Sequence, residues 1–464
     1  MPAIRPNILF ILSDQHRHDC TGYAGHPLIR TPNLDRLARE GITFTHAGCN
    51  TPVCAPARQS LASGRWPVHH GGLTNFNVSE LTAQPDLKQD WYPHLLRQAG
   101  YRSSHLGKWH VSSRFNPGDI GFDEFGNPPK LKFKPPVEGN SGMPPTLPVE
   151  RPEPFEEQHA TRMTRMGQDF LKRAASAQQP FFLTINYEEP HPPYHACAPF
   201  AQMYAPESIE PWPNFPDELR EKPRQQRQMR KVWELDGMPW RGYWDRQTAG
   251  YLGLVSFIDA QVGELLGALD ETGLAERTLV IYSTDHGDMA GAHGLYDKHC
   301  NLYDDIVRVP MVARWPGMAP AGKRYDGFVS NALDLASTFA ELATGTVPET
   351  YSGRSLAPVL MGGDDRHSYR ERLLACYHGG QFGLYSQRMY RDYAWKYVWN
   401  PTDEDELYDL AADPAELNNR AAHRECAEVL AEYRRKMWAE FTVIADPLFN
   451  TVWAKHMLLG SGSL

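Results

Sequence analysis

Thr278 to Thr284, TLVIYST, is the run that most limits how this chain can fold. It is rich in apolar and β-branched residues and has no continuous polar face. It therefore predicts a strand covered on both sides. Asn7 to Ser13 (NILFILS) and Pro180 to Tyr187 (PFFLTINY) read in the same way. Strands of this kind belong to sheets with helices packed on each face. Helical patterns lie between them: Thr31 to Gly41, with Pro near its start and Gly at its end, residues 158 to 174, and Thr248 to Thr272. The fold class expected is α/β, with a large central, mostly parallel sheet sandwiched by helices.

In open α/β sheets, ligands sit beyond the carboxyl ends of the strands. There the three runs meet Asp285-His286-Gly287-Asp288, Asp14-Gln15 and Glu188-Glu189-Pro190-His191. Asp14-Gln15 offers hard oxygens to a hard cation. A fourth stretch is Cys49 to Arg65, CNTPVCAPARQSLASGR. Pro56 suits the first turn of a helix, and Gln59 to Ser63 continues it with good helix formers. Cys54 then stands at a helix N-terminus, where backbone N–H groups and the dipole favour an anion. Arg58 follows one turn on and can face the same anion. Alone, this stretch would equally describe a reactive or simply buried thiol at a helix start.

Cys54-Ala55-Pro56-Ala57-Arg58 resembles the Cys-x-Pro-x-Arg signature of type I sulfatases, in the alkaline-phosphatase-like superfamily. Gly100 to His110, GYRSSHLGKWH, resembles the second signature of that family, GY-x-[ST]-x(3)-GK-x-H. Lys108 and His110 alternate at period two, so both face one pocket if the segment is extended. A cation and an imidazole suit the oxygens of a sulfate. The resemblance implies that Cys54 is oxidised to formylglycine by a formylglycine-generating enzyme, and that the aldehyde hydrate supplies the attacking oxygen. It implies metal ligands at Asp14, Gln15, Cys54, Asp285 and His286, with Gln15 standing where the family usually has Asp. It matches Lys298 to the lysine between nucleophile and sulfate, and His191 to the histidine at the sulfate or leaving-group oxygen. His293-Gly294-Leu295 and Arg308-Val309-Pro310 follow the family's spacing.

The mechanism so implied has a divalent cation polarising a sulfate oxygen and the nucleophile. Arg58, Lys108 and Lys298 hold the sulfuryl oxygens. His191 or Lys298 protonates the leaving oxygen, and His110 takes the proton when the sulfate ester on residue 54 breaks by C–O elimination. Calcium, the family's usual ion, ranks first; magnesium or manganese would also suit oxygen ligands with one imidazole. The substrate class is a small sulfate ester of choline, an aryl alcohol or a sugar. The alternative is phosphonate or phosphate ester hydrolysis by the same superfamily. Lys108 and His110 speak against it, because related phosphonate monoester hydrolases lack that pair. A binding protein on an inactive scaffold is the non-enzyme alternative; the matching polar positions are all filled.

Beyond Asp365 the pattern changes to short strands, Arg372–His378, Met389–Trp399 and Glu406–Leu410, followed by a helix from Glu425 to Phe441. This resembles the smaller C-terminal α+β domain of sulfatases, which carries a short antiparallel sheet, and places a boundary between 365 and 366, with a patternless tail from Thr442 to Leu464. Asn116 to Pro154, rich in Pro and Gly, reads as a long loop over the site. Residues 205 to 247 hold four tryptophans among many charges, as expected of a substrate lid, a subunit contact in a homo-oligomer, or a solvated helical face.

A net charge of −9 gives no basic footprint for nucleic acid or an anionic membrane. No segment reads as a membrane span. Seven cysteines, without metal-type spacing, predict reduced thiols. The apolar run in MPAIRPNILFILSD stops at Asp14 with no cleavage site, so it reads as a strand and not a signal peptide. Together these predict a cytoplasmic enzyme, or a periplasmic one if a signal has been trimmed.

Overall fold

The computed structural model describes residues 5–75, 86–88, 90–132, 146–363 and 370–460. Among them, eight strands form one sheet: β1 (Asn7–Asp14), β2 (Ile42–Gly48), β3 (Arg102–Gly107), β4 (Glu124–Gly126), β5 (Phe181–Pro190), β6 (Thr278–Thr284), β7 (Val312–Arg314) and β8 (Lys323–Ser330). Their order is β4-β3-β5-β1-β6-β7-β2-β8. Every pairing is parallel except those of β7, which runs antiparallel to β2 and β6. A second, antiparallel sheet holds β9 (Leu373–Gly380), β10 (Gly383–Arg391), β11 (Trp395–Trp399) and β12 (Glu406–Asp409) in the order β12-β11-β10-β9.

The helices are α1 (Pro32–Glu40), α2 (Cys54–Ser63), α3 (Pro67–His70), α4 (Tyr92–Gln98), α5 (His159–Ala175), α6 (Arg224–Val232), α7 (Asp245–Glu271), α8 (Asp304–Val307), α9 (Asn331–Thr344), α10 (Ala357–Leu360), α11 (Ala427–Val443) and α12 (Val452–Leu459). The period-two alternation of β1 divides the interior. Leu9 and Ile11 enter a core shared with α1, α5 and α7, whereas Ile8, Phe10 and Leu12 enter one shared with α2, α4 and α9. The unbroken apolar runs are thus explained by burial on both faces.

The small sheet is also covered on both faces. Leu374, Cys376, Tyr397 and Trp399 pack with α11 and α12, and with Trp66 and Leu333 of the large unit. Leu373, Ala375 and Tyr377 belong to the α7-side core. The Cys376 N–H donates to the Asn50 carbonyl at 2.9 Å, so β9 closes directly over the chain leading to Cys54. A Cβ on Gly48 would lie 2.3 Å from Leu373 Cδ2, which makes a bare backbone necessary there. The boundary expected at 365 lies outside the described residues.

Several local readings are corrected. The expected loop of 116–154 contains a 3₁₀ turn, Pro117–Ile120, and the edge strand β4; residues 133–145 lie outside the described residues. Met389–Trp399 is two strands, because the chain turns at 392–394. The tail after Thr442 contains α12.

The tryptophan-rich stretch is mostly interior packing. Trp212, Trp240 and Trp244 are buried, and Trp212 donates to the Ala290 carbonyl at 2.8 Å while Arg17 stacks on its ring at 4.2 Å. Trp240 to Glu271 is long and apolar enough to cross a membrane, contrary to expectation, but most of it is buried in the protein's own core. All seven cysteines are free and buried.

Candidate functional site

Ten residues singled out in the sequence come together at the carboxyl ends of β1, β3, β5 and β6. The strand ends supply Asp14, Asp285 and His286. Helix α2 supplies Cys54 as its first residue, after Val53 in extended conformation. All ten residues of α2 are buried, so its N-terminus is fixed against the sheet. Its second N–H, on Ala55, donates to Asn75 Oδ1 at 3.0 Å. Ligand atoms of Asp14, Cys54, Asp285 and His286 all lie within 4.8 Å of one another. Two carboxylates, one imidazole and a sulfur or its oxidised successor make a buried set that fits a divalent cation.

Cys54 Sγ is 3.2 Å from His286 Nε2 and 3.8 Å from Asp14 Oδ1. His286 Nδ1 lies 2.9 Å from the Gly287 carbonyl, which can only accept; this places the proton on Nδ1 and leaves Nε2 to face the site. Burial alone would push the Cys54 thiol up. Lys108, Lys298 and His286 outweigh it and, with a hydrogen bond from His110, hold the thiol well below its ordinary range.

Arg58 is placed differently from its expected role. Its Nε donates to Asp285 Oδ2 at 2.9 Å and its Nη2 to Asp14 Oδ2 at 3.2 Å. Nη1 turns toward the Lys108 carbonyl at 3.4 Å and Asn186 Oδ1 at 3.3 Å. The guanidinium therefore sits behind the carboxylates and balances their charge; its donors are engaged by the protein. Burial and the Cys54 charge oppose ionisation of Asp14, but Lys108, His191 and Arg58 hold its pKa below the usual range. Burial and Asp14 raise that of Asp285, only partly offset by Arg58.

Lys108 and His110 reach the site by a turn and not along an extended strand. β3 stops at Gly107, whose φ is 93°, and a Cβ there would lie 2.3 Å from the Asn186 carbonyl oxygen. The Lys108 N–H then donates to that carbonyl at 2.9 Å, and its ammonium pairs with Asp14 Oδ2. His110 is left-handed at φ 46°. Period-two geometry was thus the wrong reason for a correct grouping.

Opposite, Lys298 Nζ lies 3.0 Å from His191 Nε2 and 3.0 Å from Asp297 Oδ1, and it donates to Gln15 Oε1. His191 Nδ1 donates to the Pro192 carbonyl at 2.7 Å, which aims Nε2 at the lysine. Gln15 is therefore oriented toward Lys298 rather than into the four-ligand group. Asp288, Asp297, Tyr194 and Asn186 are neighbours that the sequence reading assigned no role. Asn186 carried a signal, a polar residue inside the apolar run of β5; Asp297 carried only its adjacency to Lys298.

The profile of the Sulfatase family matches residues 6–346, and that of the N-sulphoglucosamine sulphohydrolase C-terminal region matches residues 291–442. The chain is 30% identical to the uncharacterized sulfatase YidJ of Escherichia coli K12, over 97% of this chain and 90% of the relative. It is 27% identical to the choline-sulfatase of Rhizobium meliloti, over 91% and 83% respectively. Among solved structures, the phosphonate monoester hydrolase of Agrobacterium radiobacter shares the fold with a TM-score of 0.78 and 24% identity, over 95% of this chain and 96% of the other.

Proposed function

The chain belongs to the sulfatase family, and from that premise we propose that it hydrolyses the sulfate monoester of a small molecule, with residue 54 as nucleophile. The observation that carries this reading is the meeting of Cys54 with Asp14, Asp285 and His286 on one side and Lys108, Lys298, His110 and His191 on the other. Asp14, Cys54, Asp285 and His286 would hold a divalent cation, calcium first, which when bound polarises the sulfate. Oxidation of Cys54 to formylglycine and addition of water to the aldehyde would furnish two hydroxyls there, one to attack sulfur and displace the alcohol, the other to lose its proton as the aldehyde re-forms and sulfate leaves.

Each remaining residue has a task of its own. Lys108 and Lys298 hold the sulfuryl oxygens, and Arg58 neutralises the carboxylates so that an anion can approach. The Lys298–His191 pair carries a proton to the departing oxygen. His110, hydrogen-bonded to residue 54, receives the proton lost when the sulfate leaves.

The test compares an aryl sulfate with the phosphonate ester of the same phenol, using protein whose residue 54 has been identified as aldehyde by peptide mass. Faster turnover of the sulfate is expected. A large preference for the phosphonate would move the chain to the alternative class, and full activity with an intact thiol would remove the formylglycine step.

A further inference from the structure

The Gln15 side chain is gripped from behind by two carboxylates. Its Nε2 lies 2.8 Å from Asp288 Oδ2 and 2.7 Å from Asp297 Oδ1. An ionised carboxylate only accepts hydrogen bonds, so both hydrogens of the amide are committed on that side. The carbonyl end then has one direction left, and it accepts from Lys298 Nζ.

The grip is itself anchored. Both Asp288 oxygens accept from the Tyr194 hydroxyl at 2.9 Å, and Oδ1 accepts from the Ala290 N–H at 2.8 Å. Asp297 pairs with His299 Nε2 at 3.1 Å as well as with Lys298. The Gln15 backbone is fixed too: its N–H donates to Asp285 Oδ1 at 3.2 Å and its carbonyl accepts from the Tyr251 hydroxyl at 2.9 Å. Gln15 and Asp288 have no exposed surface and Asp297 has 7%.

We propose that Asp288 and Asp297 are positioning residues that lock the Gln15 amide with its carbonyl oxygen on Lys298, and that this pair is why residue 15 is an amide. A carboxylate at 15 would stand within hydrogen-bonding distance of two others in a dry interior, where like charges are costly. A reversed amide would set NH₂ against the lysine ammonium, donor against donor, and displace the lysine from His191. The proposal rests on the role given above to Lys298.

A double-mutant cycle tests it with Gln15→Glu, Asp288→Asn and the combination, each read by thermal melting and by turnover of the aryl sulfate. Gln15→Glu should lower Tm by about 5 °C or more, because it sets a third buried carboxylate against Asp288 and Asp297. It should also cost about 10²-fold in turnover by disturbing a positioned charge. Asp288→Asn should cost about 10-fold in turnover through loss of one acceptor for the amide. In the double variant the amide NH₂ introduced at position 288 donates to the carboxylate introduced at position 15, whose other oxygen again meets Lys298. Asp297 still faces that carboxylate, so Tm should recover only about half of the loss, and turnover should return to within about 10-fold of wild type, a positive coupling. Additive losses in both readouts would overturn the lock. Recovery of Tm without turnover would overturn the claim that it acts through Lys298. If wild type turns over no sulfate ester, the proposed function fails while the Tm cycle still reports on the clamp.

Discussion

Arg58 and Lys108 both pair with Asp14, yet they should respond differently to substitution. Arg58 bridges two carboxylates from a buried position, and side-chain exposure is 15% for Lys108 against 2% for Arg58. Arg58→Lys supplies the charge but not the fork that reaches both Asp14 and Asp285. A drop in Tm together with lost turnover is expected. Lys108→Ala should leave Tm nearly unchanged and cost about 10²-fold in turnover, as for a charge that acts in the transition state. Equal effects on Tm would contradict this division. Resemblance to two family signatures grouped both cations at one site. It could not show that the arginine is consumed by carboxylates from two strands distant in the chain, because that pairing exists only once β1 and β6 lie side by side.

At the scale of elements, α1 is capped from outside itself. Thr31 makes no capping bond to the helix, and the first N–H groups are taken by Asp259 of α7: Asn33 N at 3.1 Å and Leu34 N at 2.8 Å. Asp259→Ala should cost about 1–3 kcal/mol by leaving these donors unpaired, measurable by denaturant unfolding. Burial raises the Asp259 carboxyl to about 6 against the hydrogen bonds that favour its charge. Its folded value lies above the unfolded one, so its contribution is complete below pH 3.8 and is lost as pH rises through 6. Asp259→Asn should remove that portion of the pH slope; an unchanged slope would reject the assignment. The strands were legible because burial on both faces leaves a continuous apolar record. The turn after Gly107 and the packed tryptophans of 212–244 were not. Neither has periodicity, and a tryptophan among charges reads alike on a surface or in a core.

Across the whole molecule, a chain of buried ion pairs joins segments far apart in sequence. Lys222 lies 2.6 Å from Asp217 Oδ2 and donates to the Glu416 carbonyl at 2.7 Å. Lys396 lies 2.6 Å from both Asp304 and Glu416. Lys222→Ala should cost about 3–5 kcal/mol, the penalty for stranding a buried partner. Calorimetry should show one transition with both sheets lost together; two separated transitions would argue against this linkage. The small sheet was foreseen as an antiparallel unit, but its attachment was not, because a buried Lys222 looks in sequence like any solvated lysine. The same architecture sets an order in time. Cys54 is 1% exposed, and β9 closes over the chain that leads to it. An enzyme that oxidises this thiol would reach it more readily before β9 docks. On a ribosome adding 5–20 residues per second, the roughly 320 residues between Cys54 and Cys376 leave about 15–60 s, so the proposed oxidation of residue 54 would be a race against the completion of its own protein.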